Sequence, residues 1–170
     1  MTFLTLYGEW RRHWYVYAPV AVIWTLALLR LLGDPTLRSP LLFNWTSSLP
    51  YRVAWLLPNR GPLQRGDLIV YRFDSAGQRW HGQPFFKRVV GVPGDSISVD
   101  QRQVAINGVP VGRAKLMTQL QQPLTPIAPG TIPSGQYYVQ GSHPDAFDSR
   151  YQESGLVRAK QVIDRAWPIW

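Results

Sequence analysis

Phe85-Phe86-Lys87-Arg88-Val89-Val90-Gly91-Val92-Pro93-Gly94-Asp95 carries more structural information than any other stretch of this chain. Phe85 to Val90 has the aromatic and β-branched composition of a strand, and Gly91-Val92-Pro93-Gly94 stops it. Alternation along the strand puts Lys87 on one face with Phe85 and Val89, and Arg88 on the other with Phe86 and Val90. Two environments for Lys87 follow. On a core face its ammonium is desolvated by its own neighbours; on an edge strand it is an ordinary solvated lysine. Composition alone leaves both open.

Other short runs of the same kind lie on either side. Leu68 to Phe73 follows the turn Gln64-Arg65-Gly66-Asp67. Ser96 to Val99 and Gln103 to Ile106 are short strands, and Asn107-Gly108 is a strong hairpin signal. Tyr137 to Gln140 and Gln161 to Ala166 read as further strands. Residues 113 to 135, with Pro123, Pro126, Pro129 and Pro133, read as a long irregular excursion or flap. Pro35, Pro40, Pro50, Pro58 and Pro62 exclude long helices from the region before Leu68. The body is therefore predicted to be mainly β, with antiparallel sheets.

The N-terminal region differs. From Trp14 to Leu29 there is no formal charge, and the apolar run resumes after Arg30. As a helix, Trp14 to Leu32 covers roughly 28 Å, close to the hydrocarbon thickness of a bilayer. Trp10, Trp14, Tyr15 and Tyr17 would form an interfacial belt, and Arg30 would reach the headgroups. Leu29 to Asp34 offers no small-residue cleavage site, so the segment is expected to be kept. Arg11 and Arg12 before the span put the N-terminus in the cytoplasm. The expected layout is a cytoplasmic segment 1–13, a transmembrane helix 14–32 and a catalytic domain 33–170. Chain length then holds Ser48 within roughly 50 Å of the membrane surface.

The 170 residues carry a net charge of +8, with 45% apolar and 16% charged residues. The basic residues are scattered rather than clustered, which argues against nucleic acid as a partner and leaves an anionic membrane surface. There is no cysteine, so disulfides, thiolate metal sites and cysteine nucleophiles are excluded. His13, His81 and His143 are not at metal-ligand spacing, and neither a metal nor another cofactor is expected. A Ser/His/Asp system could draw on His143 and Asp148, but no G-x-S-x-G elbow is present. Serine with lysine remains. A lysine base must be neutral, which requires its pKa to fall from about 10.4 toward 7 or 8, about 4 kcal/mol of desolvation.

Four segments resemble the type I signal peptidases, and more closely the TraF-type peptidases of conjugative transfer systems. Asn44-x-Thr46-x-Ser48-x-Pro50 resembles the N-x-T-x-S-x-P stretch of the conjugative group. Gln64 to Val70 is similar to the "(K/R)-G-D-(I/L)-V" strand opener, Lys87 to Asp95 to the family's lysine box, and Gly141 to Tyr151, with Asp148-Ser149-Arg150, to its last box. The resemblance covers residues 40 to 170. It implies a signal-peptidase-like β domain with Ser48 as nucleophile and Lys87 as general base. The oxyanion hole would be the Ser48 N–H and the Thr46 hydroxyl, with Ser47 the competing nucleophile. Asp148 and Arg150 would buttress the site through a salt bridge.

Two departures stand out. Ala146 occupies the position where many relatives carry a serine that orients the lysine, so another group, Ser142 or a backbone carbonyl, would have to hold Lys87. The last box is also one residue shorter between Gly141 and Asp148, with Ser142 in place of the usual Asp. The expected activity is cleavage of leader peptides from preproteins or prepilins at the bacterial inner membrane. The enzyme would be single-pass with its catalytic domain periplasmic or extracellular, its partners the bilayer and components of a conjugation machinery. Trp55-Leu56-Leu57 would dip into the membrane interface. The alternatives are a pilin-cyclising transpeptidase of the same mechanism and a catalytically weak, membrane-tethered pilus-assembly component.

Overall fold

A computed structural model describes residues 14–33, 40–75, 79–118 and 120–169. The chain divides into two compact units, Met1–Ser39 and Pro40–Trp170. In the first, helix α1 (Trp14–Gly33) forms where the crossing segment was expected. The expected cytoplasmic segment 1–13 lies outside the described residues. Among the described residues no helix is long and apolar enough to cross a membrane. The side chains that α1 exposes are nonetheless apolar almost throughout, including Tyr15, Val16, Ile23 and Trp24.

The second unit consists of two antiparallel sheets. Its strands are β1 (Leu41–Phe43), β2 (Val53–Pro58), β3 (Leu68–Arg72), β4 (Pro84–Gly91), β5 (Ser96–Asp100), β6 (Gln103–Ile106), β7 (Val109–Arg113), β8 (Gly130–Thr131), β9 (Gln136–Gln140), β10 (Val157–Arg158) and β11 (Val162–Pro168). Seven of them pair in the order β1-β2-β11-β3-β4-β9-β10, and four in the order β7-β6-β5-β8. The hairpin signal holds: Asn107 and Gly108 both adopt positive φ, 51° and 77°, between β6 and β7.

The large sheet is packed on both faces at its centre. In β3 Leu68, Ile69, Val70 and Tyr71 are all buried, so alternation of polarity disappears there, as it must for a strand covered on two sides. One core gathers Ile69, Tyr71, Val89, Tyr137 and Val139, and a second, on the opposite face, gathers Leu49, Ala54, Leu68, Val70, Phe86 and Ala166. A third core, built on Ile97, Val104, Ile106 and Ile132, fills the small sheet.

The outer strands carry a different pattern. Leu41 pairs with Trp55, and Trp55 with Trp167, while Phe43 pairs with Val53. With period-two alternation, Phe43, Trp55, Leu57 and Trp167 share one face of β1, β2 and β11. That face is exposed, Trp167 at 69%. Leu56 does not join Trp55 and Leu57 there, because it packs on the opposite side against the core containing Ala54 and Ala166.

The excursion from 113 to 135 is more ordered than its prolines suggest. A bridge pairs Met117 with Pro123, β8 joins the small sheet, and Arg102 donates to the carbonyls of Ala114, Lys115 and Leu124. Those bonds come from a side chain in the β5–β6 turn, distant in sequence.

Candidate active site

Lys87 lies in the middle of β4, opposite Ile69 of β3. It shares its face with Phe85 and Val89, on the side of the core that holds Ile69, Tyr71 and Val139. The side chain is 3% exposed, so the core-face environment is the one realised. Burial lowers its pKa from the ordinary lysine value to about 8, the charge of Asp148 opposing the shift and that of Arg150 adding to it. The amine stands 5.6 Å from the centre of the Phe85 ring. Its neighbour Arg88 points the other way and donates to the Tyr51 hydroxyl at 2.9 Å.

Ser48 sits in the turn between β1 and β2, and Asn44 fixes that turn. The Asn44 carboxamide donates to Tyr51 O at 2.8 Å, and its Oδ1 accepts from Thr46 N at 3.1 Å and Thr46 Oγ1 at 2.7 Å. Leu49, 2% exposed, anchors the same turn in the core behind it. The Asn-x-Thr spacing is thus an Asx-type turn. Thr46 Oγ1 gives its proton to Asn44 here, so donating to an oxyanion would require the hydroxyl to rotate.

The turn docks on the end of β9. Ser142 N donates to Ser48 O at 2.7 Å, so Ser142 acts on the site through its backbone while its side chain is exposed. Gly141 makes this approach possible. A Cβ at Gly141 would lie 2.5 Å from Ala146 Cβ, 2.7 Å from Ser48 O and 3.4 Å from Lys87 Nζ. The nucleophile turn and the lysine amine therefore converge on one point, left open by a missing methyl group. Ser48 and Lys87 line one cleft of about 610 Å³, together with Thr46, Phe85 and Phe86; Ser47 lies outside it.

Asp148 and Arg150 brace this arrangement. The guanidinium makes a bidentate pair with the carboxylate at 2.8 and 2.9 Å, both partners buried. Asp148 Oδ2 also accepts from Gly141 N at 3.0 Å, and Arg150 donates to the carbonyls of His143, Pro144 and Ala146. Ser149 Oγ accepts from Val139 N and donates to Gly155 O. Among the described residues no Ser/His/Asp system is assembled: His143 Nδ1 accepts from Asp145 N and is not bonded to Asp148. Ala146 Cβ fills the position beside Gly141, and among the described residues no side-chain hydroxyl bonds to Lys87. Nor does any group of three or more His, Asp and Glu side chains there have the geometry to hold a metal ion.

Two outcomes follow. Gly141→Ala forces a methyl group against the Ser48 backbone. It should destabilise the fold by about 1–3 kcal/mol, read as a lower urea midpoint, with the turn displaced from Lys87. Lys87→Met replaces a buried cation with an apolar chain of similar length. Folding lowers this lysine's pKa, so below about pH 8 the protonated amine opposes the folded state, and that cost fades as pH rises toward 10.5. The variant should therefore be more stable than the parent at pH 7, by up to about 3 kcal/mol, with the difference vanishing in unfolding curves near pH 10.

The family described as "Signal peptidase, peptidase S26" matches residues 17–170. The chain is 26% identical over 166 residues to signal peptidase I of Pseudomonas aeruginosa, covering 75% of this chain and 56% of that one. It is 29% identical over 113 residues to the probable signal peptidase I-2 of Synechocystis, covering 62% and 49%. It is 34% identical over 97 residues to signal peptidase I U of Bacillus subtilis, covering 53% and 49%. A solved signal peptidase I from Enterococcus faecalis is 24% identical and covers 62% of this chain and 97% of that one, with a TM-score of 0.40. The chain spans about half the length of the curated relatives it matches. With a family match across nearly the whole chain, this protein belongs to the signal peptidase (S26) family.

Proposed function

We propose that the protein is a serine endopeptidase that removes leader peptides, with Ser48 as nucleophile and Lys87 as general base. The observation that carries this is the burial of a lysine amine in the cleft that holds Ser48. With a pKa of about 8, roughly one lysine in ten is neutral at pH 7, enough to accept a proton and still basic enough to take it. Ser48 Oγ attacks the peptide carbonyl as Lys87 takes the hydroxyl proton. The proton then passes to the leaving amine, and an ester to Ser48 remains. Lys87 next activates water, which attacks the ester, releasing the leader carboxylate and restoring the serine. The Ser48 N–H and a rotated Thr46 hydroxyl are the donors to the oxyanion. Asp148, Arg150 and the Ser142 backbone hold the geometry.

Membrane attachment belongs to the same reading. A helix whose exposed side chains are apolar, as those of α1 are, is stabilised by an apolar solvent. The open face formed by Phe43, Trp55, Leu57 and Trp167 is of the aromatic kind that settles at a lipid interface. Tethering through α1 at the bacterial inner membrane, with the catalytic unit outside the cytoplasm, would bring emerging preproteins to Ser48. Prepilins of conjugative systems are the narrower substrate class. Their support is the wording of Asn44 to Pro50; the alanine at position 146 supports instead the catalytically weak, membrane-tethered alternative.

The test is cleavage of a preprotein by the full chain in lipid vesicles. Ser48→Ala and Lys87→Ala should each lose activity by at least a thousandfold, roughly the scale of removing a nucleophile or its base. kcat/KM should rise about tenfold per pH unit below about 8 and level off above it. Processing by either variant at the parent rate would end the peptidase reading. With a pilin substrate, intact mass separates the two acceptors, since ring closure gives a product lighter by one water than the hydrolysed chain.

A further inference from the structure

The cleft of Lys87 is one of two that meet at Ser48. The second, of about 590 Å³, shares Ser48, Arg79, Trp80 and Phe147 with the first and differs in the rest of its lining. Lys87, Thr46 and Phe43 line only the first; Ser47, Met117, Leu120 and Leu124 line only the second. The dyad chemistry makes no use of this second space.

One wall of it is an aromatic row. The Trp80 and Phe147 rings lie 5.3 Å apart, and Phe147 stacks on Tyr151 at 5.9 Å. The facing wall is the short hairpin of the 113–135 excursion. Leu124 N donates to Leu116 O at 2.9 Å and Thr118 N to Gln122 O at 2.8 Å. Thr118 Oγ1 accepts from the N–H groups of Leu120 and Gln122. Arg102 holds the base of the hairpin, and the Lys115–Asp145 ion pair ties that base to the 141–150 turn. This braced element presents two apolar side chains to solvent at the cleft, Met117 at 51% and Leu120 at 59% exposure.

The direction of the substrate follows from the peptidase reading, on which this inference rests. A leader precedes the scissile bond and emerges from the bilayer. Phe43 belongs both to the Lys87 cleft and to the apolar sheet face assigned to the membrane interface, so the leader half occupies that cleft. The two halves of the substrate diverge from the tetrahedral carbon, and the chain after the scissile bond needs its own channel from the same hydroxyl. We propose that the cleft between the hairpin and the Trp80–Phe147 row is the leaving-group subsite. It takes an apolar side chain from the first two residues of the mature protein, with Met117 and Leu120 as specificity-determining residues. The lining explains the preference: an apolar side chain displaces water from Met117, Leu120 and Phe147, whereas a neutral carboxamide there loses hydration against apolar walls; Arg79, which also lines the cleft, offers a carboxylate a partner, so the carboxamide is the contrast that isolates apolarity.

The experiment uses the full chain in lipid vesicles and a preprotein series varied at single positions on either side of the scissile bond. For the parent, kcat/KM should fall about tenfold when an apolar residue just after the bond becomes Asn, the scale of one good apolar pocket contact. Leu120→Asp, at an exposed position that does not threaten the fold, should reduce cleavage of the apolar substrates by about the same factor. The ranking of substrates varied before the bond should stay unchanged, and Leu120→Met should restore the parent pattern. A parent indifferent to the residues after the bond, or a Leu120→Asp effect spread evenly over both sides, overturns the subsite. A parent that cleaves nothing overturns the peptidase reading, and the subsite with it.

Discussion

An amine held out of water at the middle of a sheet is unstable unless the surrounding packing compensates for it, and this chain is organised around that condition at Lys87. The residues opposite and beside it, Ile69, Phe85 and Val89, are apolar, and the core behind them is continuous from Ile69 to Val139. The same packing that makes the lysine costly suits it to the proposed role of base, because desolvation penalises only its protonated form. Arg88, one residue on, shows the contrast. It faces the other way, stays exposed and is satisfied by the Tyr51 hydroxyl.

Ser48, the proposed nucleophile, is positioned by constraints of another kind. Nothing about Ser48 itself is unusual; its turn is fixed by Asn44, its carbonyl by Ser142 N, and its closeness to the amine by the absence of a side chain at Gly141.

How much of this could be read in advance depended on the range of the interactions involved. Lys87 and its face were legible because strand alternation is local, and Asn107-Gly108 because a two-residue turn is more local still. Strands β1 and β2 were not legible. Leu41-Leu42-Phe43 and Trp55-Leu56-Leu57 are apolar without alternation, and only pairing with β11, more than a hundred residues away, separates Trp55 from Leu56. The order within the excursion depends on Arg102, a side chain with no sequence signal linking it to Ala114 or Leu124. Asn44 was visible only as part of the Asn44-x-Thr46-x-Ser48-x-Pro50 wording, and its side-chain bonds to Thr46 and Tyr51 emerge only with the turn itself.

The D-S-R turn has a bearing on how such a protein can change over time. Ser149 bonds inward on both sides, to Val139 and to Gly155, and Arg150 holds the carbonyls of His143, Pro144 and Ala146 from beneath. The root of the loop is locked, while the side chains of Ser142, His143 and Pro144 at its crest stay in solvent. The crest is therefore where a change of residue costs the fold least, and where new surface contacts can arise over a root that stays the same.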